Sequence, residues 1–299
     1  MSYIVTPQVA DSAAVSALCR TLRHTYPFLH TTVIGYSVCG RSIPALSIGN
    51  GPHAVLFAAA FHAQEWLTSL VCLRLCEEVC RIASGEQTHH GFTAEALQQR
   101  TVVFVPQVNP DGVDIAVHGS KAAASHAEWV HILGADIQGY WQANARGIDL
   151  NHNFDAGREA LRRIECEHGH TGPSARQWGG TSAESEPESK ALCDLCRRVA
   201  FSHVVALHSQ GEEIYWQYGD HTPPHARMVA RMMGAMSGYT PATPSVTASH
   251  AGFKDWFIEK TGRMGLTVEL GRGKNPLPMS DLDPVYEKAR DMLLFTAFL

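Results

Sequence analysis

His62 and Glu65 lie three residues apart, where a strand-like apolar run over residues 53–60 meets the amphipathic pattern of residues 67–82. On the bend into a helix, both side chains can point at one ion. Zn²⁺ binds His nitrogen and carboxylate oxygen, and a catalytic zinc site has three protein ligands and one open position. The pair alone also fits a structural His beside a Glu at a helix start.

The third ligand must come from a distant part of the chain, and His208 is the best candidate. It ends the apolar run of residues 204–207, whereas Glu269 lies in another apolar run, residues 265–270. In α/β sheets, sites form in the loops beyond the carboxyl ends of strands. His62, His208 and Glu269 all lie near the ends of predicted strands, although the sequence does not give the strand directions. This shared position favours a metal site.

Strands alternate with helices along the chain, which predicts an α/β sheet with helices on both faces. The predicted strands cover residues 31–34, 43–48, 53–60, 102–105, 203–208 and 265–270, and the predicted helices 8–24, 66–83, 186–200, 225–236 and 282–298. Residues 120–190 are polar, Gly-rich and weakly periodic, and a stretch of that length is usually functional. No linker or repeat divides the chain. We therefore predict a single domain over residues 1–299, with a mixed twisted sheet.

Composition excludes several classes of protein. The chain has 299 residues, 45% of them hydrophobic and 18% charged, and a net charge of −5 with its 17 His neutral. This is the composition of a globular protein with a sizeable core, without the basic surface of a nucleic-acid binder. No apolar run approaches the length of a membrane span, and residues 1–8 lack the pattern of a signal peptide. We predict a cytoplasmic protein with no membrane or nucleic-acid partner. The oligomeric state stays open.

The eight cysteines are predicted to be packed thiols rather than disulfides. Cys72, Cys76 and Cys80 recur every four residues on one predicted helix face, where buried thiols behave as small hydrophobic side chains. Cys193 and Cys196 form a Cys-x-x-Cys, but the sequence has no second pair at zinc-ribbon spacing. A redox or structural-zinc role is the alternative, and a reduced cytosolic compartment is the expected location.

A series of short motifs runs through nearly the whole chain in a specific order. The motifs cover residues 35–41, 61–66, 107–113, 147–154, 184–188, 206–210, 254–256 and 267–271. Together they resemble the zinc carboxypeptidase family, and most of all its branch of γ-D-glutamyl-diamino acid peptidases and murein peptide amidases. Each motif is modest, and it is their order that makes the resemblance specific.

The resemblance implies a role for each matching residue. His62, Glu65 and His208 would hold one Zn²⁺ per chain. Glu269 would be the general base that takes a proton from the attacking water and passes it to the leaving amine. A structural carboxylate in an apolar strand is the alternative, but its burial is costly unless it is paired. Asn151 matches the family's substrate-positioning Asn on the leaving-group side.

The sequence departs from the family's pattern at three places. His152 stands where the family has an Arg that clamps a C-terminal carboxylate, and an imidazole cannot make that bidentate fork. Gln142 aligns with the Arg that stabilises the oxyanion, so Arg146, the nearest cation in sequence, becomes a candidate for that role or a solvated surface residue. The substrate-capping Tyr has no counterpart, because Thr247 falls at its place and Tyr239 lies further upstream.

Lys254 is the informative substitution. In the family this position is the floor of the specificity pocket, so a Lys there implies a substrate carboxylate. Diaminopimelate offers a distal carboxylate beside an ammonium. A surface Lys is the alternative, although Phe253 and Trp256 flank this one.

Together with the resemblance, these observations predict a zinc peptidase that cleaves the γ-D-glutamyl–diaminopimelate bond of small murein peptides during their recycling, with Asn151, His152, Lys254 and Gln142 binding substrate. The alternatives are a metallocarboxypeptidase that removes acidic C-terminal residues and a related amidase or deacylase. A non-catalytic zinc or peptide binder is the alternative from another class, although such a protein needs no base.

Overall fold

The structure is a computed structural model that describes residues 3–245 and 248–299, within which eight strands form one sheet. The strands are β1 (His30–Tyr36), β2 (Ser42–Gly49), β3 (His53–Ala59), β4 (Arg100–Val105), β5 (Phe201–His208), β6 (Glu213–Tyr215), β7 (Thr240–Ala242) and β8 (Met264–Glu269). Their spatial order is β1-β2-β4-β3-β5-β8-β6-β7.

The helices cover both faces of this sheet. They are α1 (Ser12–Thr25), α2 (Leu67–Ala83), α3 (Ala94–Leu97), α4 (Pro110–His118), α5 (Ala127–Ile132), α6 (Arg158–Glu167), α7 (Pro187–Arg198), α8 (Ala226–Ser237), α9 (Phe253–Thr261) and α10 (Leu282–Phe298). One core packs α1, α2, α8 and α10 against the sheet, and the other packs α7 and α9 against the opposite face. The predicted mixed α/β architecture is confirmed.

Strand β5 shows why both faces are covered. Val205 and Leu207 belong to the first core, whereas Val204 and Ala206 belong to the second. Successive side chains of a strand point to opposite faces, so a strand buried on both sides is apolar throughout. The apolar run that predicted β5 is therefore the signature of a central strand.

The direction of the central strands explains where the site lies. Strands β4, β3, β5 and β8 are mutually parallel neighbours, whereas β1, β2 and β6 join this group through antiparallel pairs. The carboxyl ends of β3, β5 and β8 therefore meet at one edge of the sheet. His208 at the end of β5 is the register partner of Glu269 at the end of β8.

Several elements were missed by the sequence analysis. Helix α4 begins at Pro110-Asp111-Gly112, which looks like a turn, but Pro fits the first helical position and the Asn109 side chain caps the helix by accepting from Gly112 N at 2.9 Å. The polar stretch contains α5 and α6, and α3, α9, β6 and β7 were also not predicted. These elements are short, and tertiary packing rather than periodicity defines them.

The eight cysteines are free thiols, and Cys72, Cys76 and Cys80 are buried along α2 as predicted, whereas Cys166 is exposed. Burial raises the pKa of the Cys72 thiol well above its usual value, which leaves it protonated and unreactive. In the described part of the chain, none of the helices has the length and apolar character needed to cross a membrane.

Candidate metal centre and active-site cleft

The chain turns sharply between β3 and α2, and this turn places His62 and Glu65 on the same side. Ala60 adopts a left-handed conformation with φ +51°, and its N–H donates to Thr68 Oγ1 at 3.0 Å. The Thr68 hydroxyl donates in turn to the Glu65 carbonyl oxygen at 2.7 Å. Residues Ala63–Glu65 then form a 3₁₀ turn, in which positions three apart lie one above the other.

Three possible metal ligands converge at the carboxyl edge of the sheet. His62 Nδ1 lies 2.9 Å from Glu65 Oε1, and His208 Nδ1 lies 3.1 Å from Glu65 Oε2. The two Nδ1 atoms are 3.3 Å apart. Two imidazoles and one carboxylate make a donor set that zinc accepts in catalytic sites. The structure thus brings together the three residues that the sequence singled out as ligands.

The surroundings of His62 favour a positive charge at this point. Its Nε2 lies 3.3 Å from Asp149 Oδ1, so a ring proton on Nε2 can be donated to Asp149. The Nδ1 lone pair then points toward the Glu65 carboxylate. These two lone-pair-bearing groups repel each other unless a cation or a proton lies between them. Burial opposes a charged imidazole, yet the carboxylates of Glu65 and Asp149 outweigh burial and hold the pKa of His62 well above its usual value. The residues present fit a metal cation.

Glu65 is held in place from two further directions. The backbone N–H of Ser209 donates to Glu65 Oε2 at 3.2 Å, and Asn275 Nδ2 lies 3.4 Å from Glu65 Oε1. Burial disfavours the Glu65 carboxylate, but the imidazoles of His62 and His208 outweigh it and lower its pKa. Such outer contacts orient metal ligands before the ion arrives.

Glu269 lines the same cleft as His62 and His208. Burial, followed by the neighbouring Glu65 carboxylate, raises the pKa of Glu269 well above its usual value. A carboxyl group with a raised pKa beside a candidate metal centre is a candidate for proton transfer. Tyr215, on the neighbouring strand β6, also lines this cleft.

Gln142 lies in the cleft, but Arg146 is not among the described residues that line it. The side chain of Arg146 is about half exposed and pairs with Glu186, 3.5 Å from Oε2. The cation that contacts Gln142 is instead Arg176, whose Nε and Nη2 donate to Gln142 Oε1 at 3.2 and 3.1 Å. The proposed oxyanion role of Arg146 is thus without geometric support, because Arg146 is near Gln142 in the sequence but does not line the cleft.

Asn151 and His152 both line the cleft. Asn151 Oδ1 accepts from the N–H of Phe253 at 3.1 Å, whereas its Nδ2 makes no hydrogen bond within the described part of the chain. His152 Nδ1 is buried 3.5 Å from Glu165 Oε1, too far for a good hydrogen bond, and makes no hydrogen bond within the described residues. Burial opposes charging of His152, but the nearby carboxylates of Asp149 and Glu165 outweigh it and raise its pKa. Both residues retain donors that can bind a substrate.

Lys254 lines the cleft, where the resemblance placed it, but its charge is already paired within the protein. It is 5% exposed, and its Nζ forms an ion pair with Asp255 and donates to the Gln217 carbonyl oxygen at 2.9 Å. Asp255 is also buried and lines the same cleft. A buried ammonium needs such a partner, since an unpaired buried charge is costly. The cleft wall thus presents a paired positive and negative charge.

Some residues at the site gave little signal in the sequence. Asp149 lies two residues before Asn151 and Asp255 directly follows Lys254, so the motifs that contain them could have indicated both. Arg176 and Asn275 come from loops without periodicity, and only the fold brings them to the centre. Tyr239 is 2% exposed and accepts from Gly271 N at 3.2 Å, so it packs in the core, whereas Thr247 lies outside the described residues.

Comparison with known sequences agrees with this geometry. The profile of the zinc carboxypeptidase family matches residues 15–292. The γ-D-glutamyl-L-diamino acid endopeptidase 1 of Lysinibacillus sphaericus is 36% identical over 283 residues, which are 94% of this chain and 70% of that protein.

Solved structures share the fold. Bovine thrombin-activatable fibrinolysis inhibitor, in complex with a tick carboxypeptidase inhibitor, superposes with a TM-score of 0.75 at 22% identity, over 98% of this chain and 96% of that chain. The murein-tripeptide amidase of Escherichia coli O157 superposes with a TM-score of 0.53 at 19% identity, over 89% of this chain and 91% of that chain.

Proposed function

We propose, on the premise that this chain belongs to the zinc carboxypeptidase family, that it hydrolyses the amide bond between a γ-linked D-glutamyl residue and diaminopimelate in small murein peptides. Family membership supports a zinc metallopeptidase, a hydrolase of peptide bonds, and the presence of Glu269 in the cleft argues against a non-catalytic binder. A cytoplasmic location and a role in recycling murein peptides, predicted from the sequence, are part of the proposal.

One observation carries the choice of substrate: the buried pair of Lys254 and Asp255 in the cleft wall. The distal carbon of diaminopimelate bears both an ammonium and a carboxylate. A wall with both signs of charge complements such a zwitterion, because each substrate charge finds an opposite charge and the pair stays neutral overall. The name of the Lysinibacillus sphaericus relative, which specifies a γ-D-glutamyl-L-diamino acid bond, supports the same class of substrate.

The proposed chemistry assigns the residues as follows. His62, Glu65 and His208 hold one Zn²⁺, with Asp149 orienting His62. When bound, zinc polarises a carbonyl oxygen and lowers the pKa of water. Glu269 accepts the proton of the attacking water and delivers it to the nitrogen of the leaving diaminopimelate.

Other residues of the cleft then position the substrate. Asn151 Nδ2 and His152, which both line the cleft, bind the leaving group. Gln142 Nε2 donates one hydrogen to Asp149 Oδ2 at 2.9 Å and keeps a second for the developing oxyanion. In this scheme the amide of Gln142 replaces the arginine that the family's pattern has at this position.

Three substrates test the proposal. L-Ala-γ-D-Glu-diaminopimelate, the same peptide with lysine in place of diaminopimelate, and an α-linked tripeptide with a C-terminal Glu are each incubated with the zinc-loaded protein, with and without a chelator. We expect the diaminopimelate peptide to have the highest kcat/KM, and the lysine peptide, which lacks the distal carboxylate, to be roughly 10- to 150-fold slower. Preferred cleavage of the α-linked peptide would instead establish the rival, a carboxypeptidase for acidic C-terminal residues.

A further inference from the structure

A second hollow adjoins the metal centre, and Lys254 is not among the described residues that line it. It has a volume of about 570 Å³ and is lined by residues 137–140, Arg176 and residues 274–276. This volume lies within the range of small-molecule sites. Two contacts join the hollow to the centre, because Arg176 donates to Gln142 in the cleft and Asn275 lies 3.4 Å from the Glu65 carboxylate.

The hollow is positively charged although the whole chain is negative. Its described lining contains two cations, Arg176 and Lys274, and no Asp or Glu, in a chain with a net charge of −5. Neither cation forms an ion pair within residues 3–245 and 248–299. The other cation near the centre, Lys254, is neutralised by Asp255.

The guanidinium of Arg176 is half-buried and held by neutral groups. It donates to Gln142 Oε1 and lies 5.6 Å from the centre of the Tyr140 ring. The Gln64 side-chain amide satisfies both of its neighbours when its nitrogen faces Gly139 and its oxygen faces Arg176. In this orientation the nitrogen donates to the Gly139 carbonyl oxygen at 2.7 Å, and the oxygen accepts from Arg176 Nη2 at 3.2 Å. Arg176 Nη1 makes no hydrogen bond to the residues that the structure describes. The side chain is thus fixed in place, while its charge has no anionic partner among the residues that the structure describes.

The proposed substrate places an anion on the acyl side of the scissile bond. A γ-linked glutamyl residue is attached through its side-chain carbonyl, so its α-carboxylate remains free. That carboxylate lies four bonds from the scissile carbonyl carbon, about 5 Å away in an extended chain. Among α-linked residues, only glutamate carries a carboxylate at the same number of bonds. Recognition of this carboxylate would therefore separate γ-glutamyl peptides from α-linked peptides of the other residues.

We propose that Arg176, assisted by Lys274, binds the free α-carboxylate of the γ-D-glutamyl residue and so selects for a glutamyl residue on the acyl side of the scissile bond. This inference rests on the proposed function, since it concerns the acyl half of the same substrate. A planar guanidinium matches a carboxylate, and hydrogen bonds to charged groups are worth about 1.5–3 kcal/mol, or roughly 10- to 150-fold.

A pair of substrates and a set of variants test the inference. The substrates are L-Ala-γ-D-Glu-diaminopimelate and the same peptide with the α-carboxylate converted to a carboxamide. The variants are Arg176→Gln, Lys274→Gln and the matched control Arg231→Gln, which changes an exposed residue of α8. Each zinc-loaded protein is assayed for kcat/KM on both substrates, and its zinc content is measured.

We expect the wild type and Arg231→Gln to prefer the carboxylate substrate by roughly 10- to 150-fold, and Arg176→Gln to lose most of this preference. Lys274 is exposed, so Lys274→Gln should reduce the preference by a smaller factor. If Arg176→Gln lost zinc, the inference would still be tested by the wild-type preference between the two substrates and by the size of that preference in Lys274→Gln.

Two results would overturn this inference while leaving the proposed function in place. The first is an equal kcat/KM of the wild type on the two substrates. The second is an equal loss of kcat/KM on both substrates in Arg176→Gln, which would mean that Arg176 only supports Gln142. Cleavage of neither substrate by the wild type would remove the proposed function, and this inference with it.

Discussion

The cleft and the hollow beside it, the two ends of the proposed substrate site, hold cations in opposite ways. In the cleft, the proposed leaving-group end, Lys254 is 5% exposed and paired with Asp255, whereas in the hollow, the proposed acyl end, Arg176 is only half-buried and contacts neutral amides. Full burial requires a partner charge, but a partly hydrated guanidinium does not. The first end is therefore neutral overall and complements a zwitterion, and the second has a net positive charge and complements an anion.

This contrast shows that the presence of a cation in a site does not define its ligand. Lys254 considered alone predicts a substrate carboxylate. With Asp255 beside it, the wall complements an ammonium and a carboxylate together. The choice between a carboxylate and a zwitterion therefore depends on whether Lys254 has a charged neighbour, and only the fold shows that it does.

The largest expected effect comes from removing the centre that separates the two ends. His208→Ala should lose stoichiometric zinc and reduce hydrolysis to background, because two protein ligands do not complete a catalytic zinc site. The measurement is zinc content by atomic emission together with kcat/KM.

His89→Ala is the matched control. His89 also belongs to a group of three possible ligands, with His90 and Asp291, but that group is at the surface and His89 hydrogen-bonds Asp291 at 2.6 Å. This variant should keep its zinc and activity. Full zinc occupancy in His208→Ala would refute the ligand assignment.

Replacement of the base should leave both ends intact and slow the chemistry. Glu269→Gln keeps the shape of the side chain but cannot accept a proton, so kcat should fall by about 10²–10⁴-fold while zinc stays bound. Substrate affinity, measured by titration of the inactive variant, should change little, because the two ends bind the substrate on either side of Glu269. Turnover within a few-fold of wild type would assign the base elsewhere.

The sequence identified the metal centre better than the two ends. His62, His208 and Glu269 follow apolar runs that are recognisable as buried strands, so their common edge could be predicted. The pairing of Lys254 with Asp255 could not, because neighbouring residues on a helix do not normally face each other. Arg176 lies in a polar stretch without periodicity, and the nearest cation in sequence, Arg146, pairs with Glu186 instead.

Neutralising the leaving-group end sharpens the contrast between the two ends. Lys254→Met alone leaves Asp255 buried without a partner, which should cost about 3–5 kcal/mol of stability. The double variant Lys254→Gln/Asp255→Asn removes both charges, so it should regain stability. It should also lose the roughly 10- to 150-fold preference for diaminopimelate over lysine peptides.

Both quantities are measurable on the same samples, by urea unfolding and by kcat/KM. The response to the α-carboxamide substrate should stay at the wild-type value, since the acyl end is unchanged. A double variant that kept its diaminopimelate preference would show that the paired charges do not select the leaving group.

The smallest expected effect is a change in how stability depends on pH, and it arises from His203 in the sheet. It sets the pH range in which activities on the different substrates can be compared in the folded protein. His203, near the start of β5, is 3% exposed and its Nε2 lies 2.8 Å from the Thr296 carbonyl oxygen. Burial lowers the pKa of His203 to about 4. The unfolded chain therefore binds a proton below about pH 6.5 that the native protein does not bind until about pH 4.

Stability from this group is complete above pH 6.5 and is lost as the pH falls toward 4, by about 2 kcal/mol between pH 7 and pH 5. His203→Gln keeps a donor for Thr296 but cannot titrate, so its stability at saturating zinc should fall less over this interval. The exposed His24 of α1 offers the control, His24→Gln, which should retain the wild-type slope. The measurement is the free energy of unfolding in urea at pH 7 and pH 5. If wild type and His203→Gln lost the same amount of stability between these pH values, the acid sensitivity would belong to another group.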